Sequence, residues 1–124
     1  MQPSPSPGPV IPILRMFDIP ATRGFYLDFL GFTWDWEHRF APDLPLYAQV
    51  SLGGTALHLS QHHGDATPGS GLLFMIQGIE GFHAALIGRR YGFARPALED
   101  APWGARILRV QDPAGNRLTF NEPR

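Results

Sequence analysis

The sequence predicts an α+β domain of paired βαβββ modules, forming an eight-stranded curved mixed sheet with the helices on its outer face. Three observations predict it. A helical pattern closed by Gly-Phe and followed by extended chain occurs over Asp18 to Trp36, and again in weaker form over Gly78 to Phe93. A stretch rich in turn residues, His62 to Ser70, lies near the middle of the 124-residue chain, where a joint between two halves belongs. On either side of that joint the order is strand, helix, strand, strand, strand. A repeat of roughly 60 residues is too long for a solenoid unit and points to two fused half-domains. Helices on one face leave the other face of the sheet concave.

The elements follow in order. Residues 1–9 carry four prolines and a glycine, which excludes a helix or an inner strand, so they are expected to be a disordered Pro-rich tail. One domain spans 10–124, with module one at about 10–61, a linker at 62–70 and module two at about 71–122. The first strand covers Val10 to Met16, with Ile11, Ile13 and Arg15 on one face. Pro12 removes a ladder donor there and suggests an edge position or a local irregularity. Asp18 is the N-cap of a helix to Leu30, whose apolar face is Phe25, Tyr26, Phe29 and Leu30, and Gly31 closes it. Phe32 to His38 alternates as a half-buried strand, which puts Phe32, Trp34, Trp36 and His38 on one side. After the loop Arg39 to Pro45 come strands Leu46 to Ser51 and Thr55 to Gln61, joined at Gly53-Gly54. Module two repeats this with a strand at Leu72 to Gln77, a helix at Ile79 to Tyr91, and strands at Ala97 to Glu99, Ala105 to Gln111 and Arg117 to Asn121. Asp112-Pro113-Ala114-Gly115-Asn116 is the turn between the last two.

Composition narrows the function. A net charge of −1 offers no field for a polyanion, so nucleic acid is not an expected partner. All ten cationic residues are Arg. The absence of Cys excludes disulfides, zinc thiolates and thiol catalysis. No apolar run reaches the roughly 20 residues of a membrane helix, and no signal architecture opens the chain. A cytoplasmic protein without membrane partners is expected. Nucleophilic catalysis lacks a partner set, because Ser60 shares a strand face with His58 but has no evident orienting carboxylate.

Several of these residues together resemble the vicinal oxygen chelate superfamily, the glyoxalase and bleomycin-resistance fold. They are Arg15 and Asp18, Phe25-Tyr26, Leu30-Gly31-Phe32, Gly53-Gly54, Trp103-Gly104 and the Asp112 to Asn116 turn, in order and at family spacing. The resemblance covers about Val10 to Asn121 and implies a dimer with a ligand cleft in the curved sheet. Metal-dependent members place His or Glu on four strands facing that cleft. The corresponding positions here are Ile11, His58, the neighbourhood of Gly71, and Thr119, so His58 is the only candidate metal ligand. One imidazole does not hold a divalent ion, which needs three or four N/O ligands. Glu122 lies close to the fourth position, but strand parity places it with Leu118 and Phe120 on the helix side. His62 and His63 read as solvated loop residues.

The resemblance to the bleomycin-resistance branch therefore implies a metal-free, cofactor-free protein that sequesters an aromatic or antibiotic-like small organic ligand in a homodimer cleft. The alternative is a metal-dependent glyoxalase-like lyase or dioxygenase. There His58 would hold a divalent ion with His62, Glu122 or a residue of a second subunit. Strand parity puts Arg15, His58, Arg109, Thr119 and Asn121 on the concave face, polar groups on an apolar floor. Trp34, Trp36, Phe40, Tyr47 and Trp103 are candidate walls. The ligand-binding set expected is His58, Trp103, Arg109, Thr119, Arg15, Trp36 and Asn121. Arg15 and Arg109 either meet a ligand anion or pair with Asp35, Glu37 or Asp100.

Overall fold

The computed structural model describes residues 4–124. Module one is β1 (Ile13–Arg15), α1 (Ile19–Arg23) running on into a π-helical segment (Gly24–Phe29), β2 (Thr33–His38), β3 (Tyr47–Leu52) and β4 (Thr55–Ser60). Module two is β5 (Gly71–Met75), α2 (Ile79–Gly88), β6 (Leu98–Ala101), β7 (Ala105–Gln111) and β8 (Arg117–Pro123). The eight strands pair as two four-stranded sheets, ordered β1-β4-β3-β2 and β5-β8-β7-β6. Every strand of one sheet has a counterpart in the same place in the other, so the duplication read from sequence is a duplication of topology. The sheets do not join into one ladder. β1 is a short edge strand, and Pro12 before it has no N–H to offer a further neighbour, though its carbonyl accepts from His58 N at 2.9 Å. Residues 4–10 form no helix or strand and are exposed; the first three residues of the Pro-rich tail lie outside the described residues. Among the described residues no helix is long and apolar enough to cross a membrane.

One core serves both modules. Leu14, Leu57 and Leu59 of the first sheet and Leu108, Leu118 and Phe120 of the second join Phe25, Tyr26, Phe29 and Leu86 in a single buried cluster. Alternation along each strand explains this, since these residues share the helix-facing side. Asp18 caps α1 by accepting from Ala21 N at 2.8 Å. The predicted helix to Leu30 changes type midway: Leu30 N bonds to Phe25 O at 3.0 Å, five residues back. That widened turn buries Phe25, Tyr26, Phe29 and Leu30 together. Gly31 then reverses the chain at φ +86°, and a Cβ there would meet the Arg89 guanidinium at 3.1 Å. Arg89 needs that space, because its Nη1 donates to Phe29 O at 2.6 Å. α2 ends at Gly88, short of the predicted Tyr91. Arg90 turns left-handed at φ 52°, and Tyr91 stacks on Phe29 at 4.5 Å.

Two local features depart from sequence parity or exceed it. Between β2 and β3 the register passes from Trp34↔Val50 to Trp36↔Gln49, so Asp35 is the extra residue of a β-bulge. The bulge separates the two tryptophans that plain alternation puts on one face. Trp34 packs against the core with the Arg23 guanidinium over its ring at 4.6 Å, while Trp36 turns to the open face of the sheet. At α2 the N-cap is Gly78, which has no side chain to cap with, and Glu122 supplies the acceptor. Its Oε1 accepts from Gly78 N at 2.5 Å. Glu122 thus sits on the helix side, as its strand parity requires. Replacing Glu122 with Ala is expected to lower stability by about 1 kcal/mol in urea unfolding, with Gln recovering most of the loss because its amide oxygen still accepts, since an uncapped helix start keeps unpaired N–H groups.

Candidate functional site

The open face of the first sheet carries the best-defined polar cluster. Alternation along β3 presents Tyr47, Gln49 and Ser51 outward, and register sets Gln49 opposite His58. The Tyr47 hydroxyl lies 2.7 Å from His58 Nδ1, and His58 Nε2 lies 3.0 Å from Gln49 Oε1. Asp35, displaced onto this face by the bulge, accepts from Gln49 Nε2 at 3.1 Å and from Ser51 Oγ at 3.0 Å. This orders the chain of bonds. The Asp35 carboxylate only accepts, so the Gln49 amide nitrogen faces it and the amide oxygen faces His58. His58 Nε2 must then carry the proton, and Nδ1 accepts from the Tyr47 hydroxyl. His58 is a neutral imidazole with both nitrogens engaged.

Burial pushes the His58 pKa below its ordinary value. The folded protein therefore binds this proton less readily than the unfolded chain. Stability from this residue is present above about pH 6.5 and is lost as pH falls through the lowered folded value. An NMR titration of the imidazole protons is expected to give a midpoint below about 6.5, and a midpoint at or above it would contradict the assigned tautomer and burial.

Aromatic rings and the linker complete this site. Trp36 lies nearly parallel to Tyr47, with centroids 6.1 Å apart and 14° between planes, and meets His58 edge-on at 5.2 Å. The linker folds back on β4: Ser60 Oγ donates to Asp65 Oδ2 at 2.6 Å and accepts from His62 N at 3.0 Å. Trp36, His38, Phe40, Tyr47, His62 and Asp65 line a cavity of about 460 Å³. Burial, and then the charge of Asp65, raise the Tyr47 phenol pKa.

The second sheet presents a different surface. Arg109, Gln111, Arg117 and Thr119 line a broad groove of about 610 Å³ with Leu73. Arg109 is not paired with Asp35, Glu37 or Asp100; its Nη2 bonds Glu99 across the ladder at 2.9 and 3.1 Å. Trp103 Nε1 donates to Asn121 Oδ1 at 2.8 Å, which fixes an exposed indole at the rim. The seven expected ligand-binding residues thus fall in two groups on separate sheets: Trp36 and His58 on one, Arg109, Thr119, Trp103 and Asn121 on the other. Arg15 joins neither cavity and stacks its guanidinium over Phe17 at 4.8 Å. Trp34, a candidate wall, belongs to the core side. The sequence offers Asp35 only as a possible partner for Arg15 or Arg109, and does not single out Gln49 or Asp65. Alternation with Ala48 and Val50 was the available signal for Gln49. None existed for Asp65, whose place depends on the linker's fold.

The donors around His58 do not fit a divalent ion. Its Nδ1 lone pair is occupied by the Tyr47 O–H, its Nε2 is protonated, and Glu122 is committed to α2. Among the described residues no three His, Asp or Glu side chains are grouped to hold a metal ion.

Comparison with known proteins agrees with this architecture. A bleomycin-binding protein solved with bleomycin superposes with a TM-score of 0.71 at 19% identity, over 95% of this chain and 100% of that one. A glyoxalase-related enzyme from Clostridium phytofermentans superposes with a TM-score of 0.76 at 22% identity, over 99% and 100% of the two chains. An antibiotic binding protein from Streptomyces sp. CB03234 gives 0.71 at 22% identity, over 98% and 100%. At these identities the likeness is one of fold. No curated protein matches the sequence. The family model described as "Glyoxalase superfamily protein" matches residues 8–124, nearly the whole chain. With paired βαβββ modules and that match across both, the chain belongs to the glyoxalase superfamily.

Proposed function

We propose that this protein binds a small aromatic or antibiotic-like molecule in the cleft of a homodimer, without a metal, and holds it rather than transforming it. The observation that carries this reading is the state of His58. The superfamily's metal position is here a neutral imidazole locked between Tyr47 and Gln49 beneath aromatic walls. Such a group shapes the pocket with its ring, and it has no free lone pair for an ion. Two structural neighbours are named as a bleomycin-binding and an antibiotic binding protein, which supports ligand holding as a use of this fold. The dimer is supported by apolar side chains left open on the cleft faces. Leu73 is 60% exposed, Met75 64% and Trp103 63%, a surface a second copy would cover.

The test is a tryptophan-fluorescence titration with planar heteroaromatic compounds, before and after dialysis against EDTA, on protein sized by light scattering. Saturable quenching by a dimer, with an affinity unchanged by chelation, is the expected result. A monomer, binding lost on chelation, or conversion of the compound would each reject the reading.

A further inference from the structure

We propose that the module-one cavity is a site for an organic cation, a quaternary or protonated nitrogen carried on a flat apolar body. This rests on the ligand-binding reading above and names the ligand's charge and the residues that recognise it. Three aromatic rings border the cavity, and they are not packing the core. Trp36 is 43% exposed and Phe40 74% exposed. Phe40, in the loop between β2 and β3, stands edge-on to His38 at 4.6 Å and to His62 at 5.8 Å. Tyr47 lies nearly parallel to Trp36, with its hydroxyl turned away to His58 and its ring left to the cavity. The faces of such rings carry negative potential and attract a cation within about 6 Å of a ring centroid.

The charge on the cavity wall has the matching sign. Asp65 lines it, and Ser60 holds its Oδ2, while its Oδ1 has no hydrogen bond or salt bridge among the described residues. Among the described residues no Arg side chain lines this cavity, in contrast to the groove of module two, which has Arg109 and Arg117. His62 is on the same wall, and its Nε2 is buried without a partner among the described residues. A carboxylate with no neutralising cation, faced by three rings, favours a positive ligand over a neutral one of the same shape. The net charge of −1 means that this preference is local and owes little to long-range steering.

The experiment compares two probes of equal size by isothermal titration calorimetry at low salt and about pH 8, where only one is charged. The probes are N-methylquinolinium chloride and neutral 4-methylquinoline. Wild-type protein is expected to bind the cation roughly tenfold more tightly. Asp65→Asn keeps an acceptor for Ser60 and is expected to remove most of that preference while leaving the neutral probe's affinity unchanged. Phe40→Ala, at an exposed ring whose loss does not open the core, is expected to weaken the cation more than the neutral probe. Equal affinities in the wild type, or a preference that survives Asp65→Asn, would overturn the cation site and leave the aromatic-binding reading standing. No binding of either probe would overturn both.

Discussion

Replacing Asp112 with Ala is expected to destabilise the protein by about 3–4 kcal/mol, since each buried donor left without an acceptor costs about 1–3 kcal/mol. Asp112 is buried, and its two oxygens serve four donors. Oδ1 accepts from Ala114 N at 2.9 Å and Asn116 N at 2.8 Å; Oδ2 accepts from the Tyr26 hydroxyl at 2.6 Å and Asn116 Nδ2 at 2.9 Å. Asn116, fully buried, continues the network: Nδ2 also donates to Arg15 O at 2.9 Å and Oδ1 accepts from Ser70 N at 3.2 Å. The turn therefore ties β1, the helix of module one and the end of the linker to the last hairpin of module two. Without the carboxylate, the Tyr26 hydroxyl and Asn116 N are stranded in the core. Tyr26→Phe removes a donor and leaves Oδ2 bonded to Asn116, so it is expected to cost only about 1 kcal/mol. Urea midpoints at constant m-value check both figures, and comparable losses for the two variants would show that the network is not organised around Asp112.

This turn also marks what was legible in the sequence. Pro113 and Gly115 announce a reversal by their own backbone limits, so the hairpin could be read locally. That Asp112 and Asn116 join two modules could not, because the partners Arg15 and Tyr26 lie far away along the chain. The same division runs through the site. Strand parity put His58, Arg109, Thr119 and Asn121 on open faces, because the side-chain period of a strand is strict. It failed at Trp34 and Trp36, where one inserted residue, Asp35, resets the period. Nothing in Thr33-Trp34-Asp35-Trp36 signals that insertion; it is stabilised from the neighbouring strand, by Gln49 and Ser51 bonding to the displaced carboxylate. The linker was legible as a linker by composition. Its return to β4 through Ser60 and Asp65 is a tertiary contact, and it brings a carboxylate to the cavity.

Phe120→Ala is expected to lose about 3–5 kcal/mol, the range for emptying a buried aromatic site that collapses only in part. The ring is 1% exposed, lies flat on Phe74 at 4.7 Å and 15°, and meets Phe82 of α2 at 4.8 Å. Phe74 in turn meets Phe32 of module one edge-on at 6.4 Å, and Phe32 meets Tyr26 at 5.6 Å. Rings thus run without a break from β8 across the module boundary to the residue that binds Asp112. The modules share this core and no strand ladder, so their cooperativity depends on side chains. Unfolding of the wild type followed by the module-one tryptophans, in a Trp103→Phe background, and by far-UV circular dichroism is expected to give one coincident transition. In Phe120→Ala the midpoint should fall for both probes together, although Phe120 itself belongs to module two. A fall seen by circular dichroism alone, with the module-one tryptophans unmoved, would mean that the halves fold independently and that the ring chain does not couple them. Coincidence would show that a loss at β8 is felt at Trp36, on the wall of the module-one cavity, and that this cavity keeps its shape only while both halves are folded.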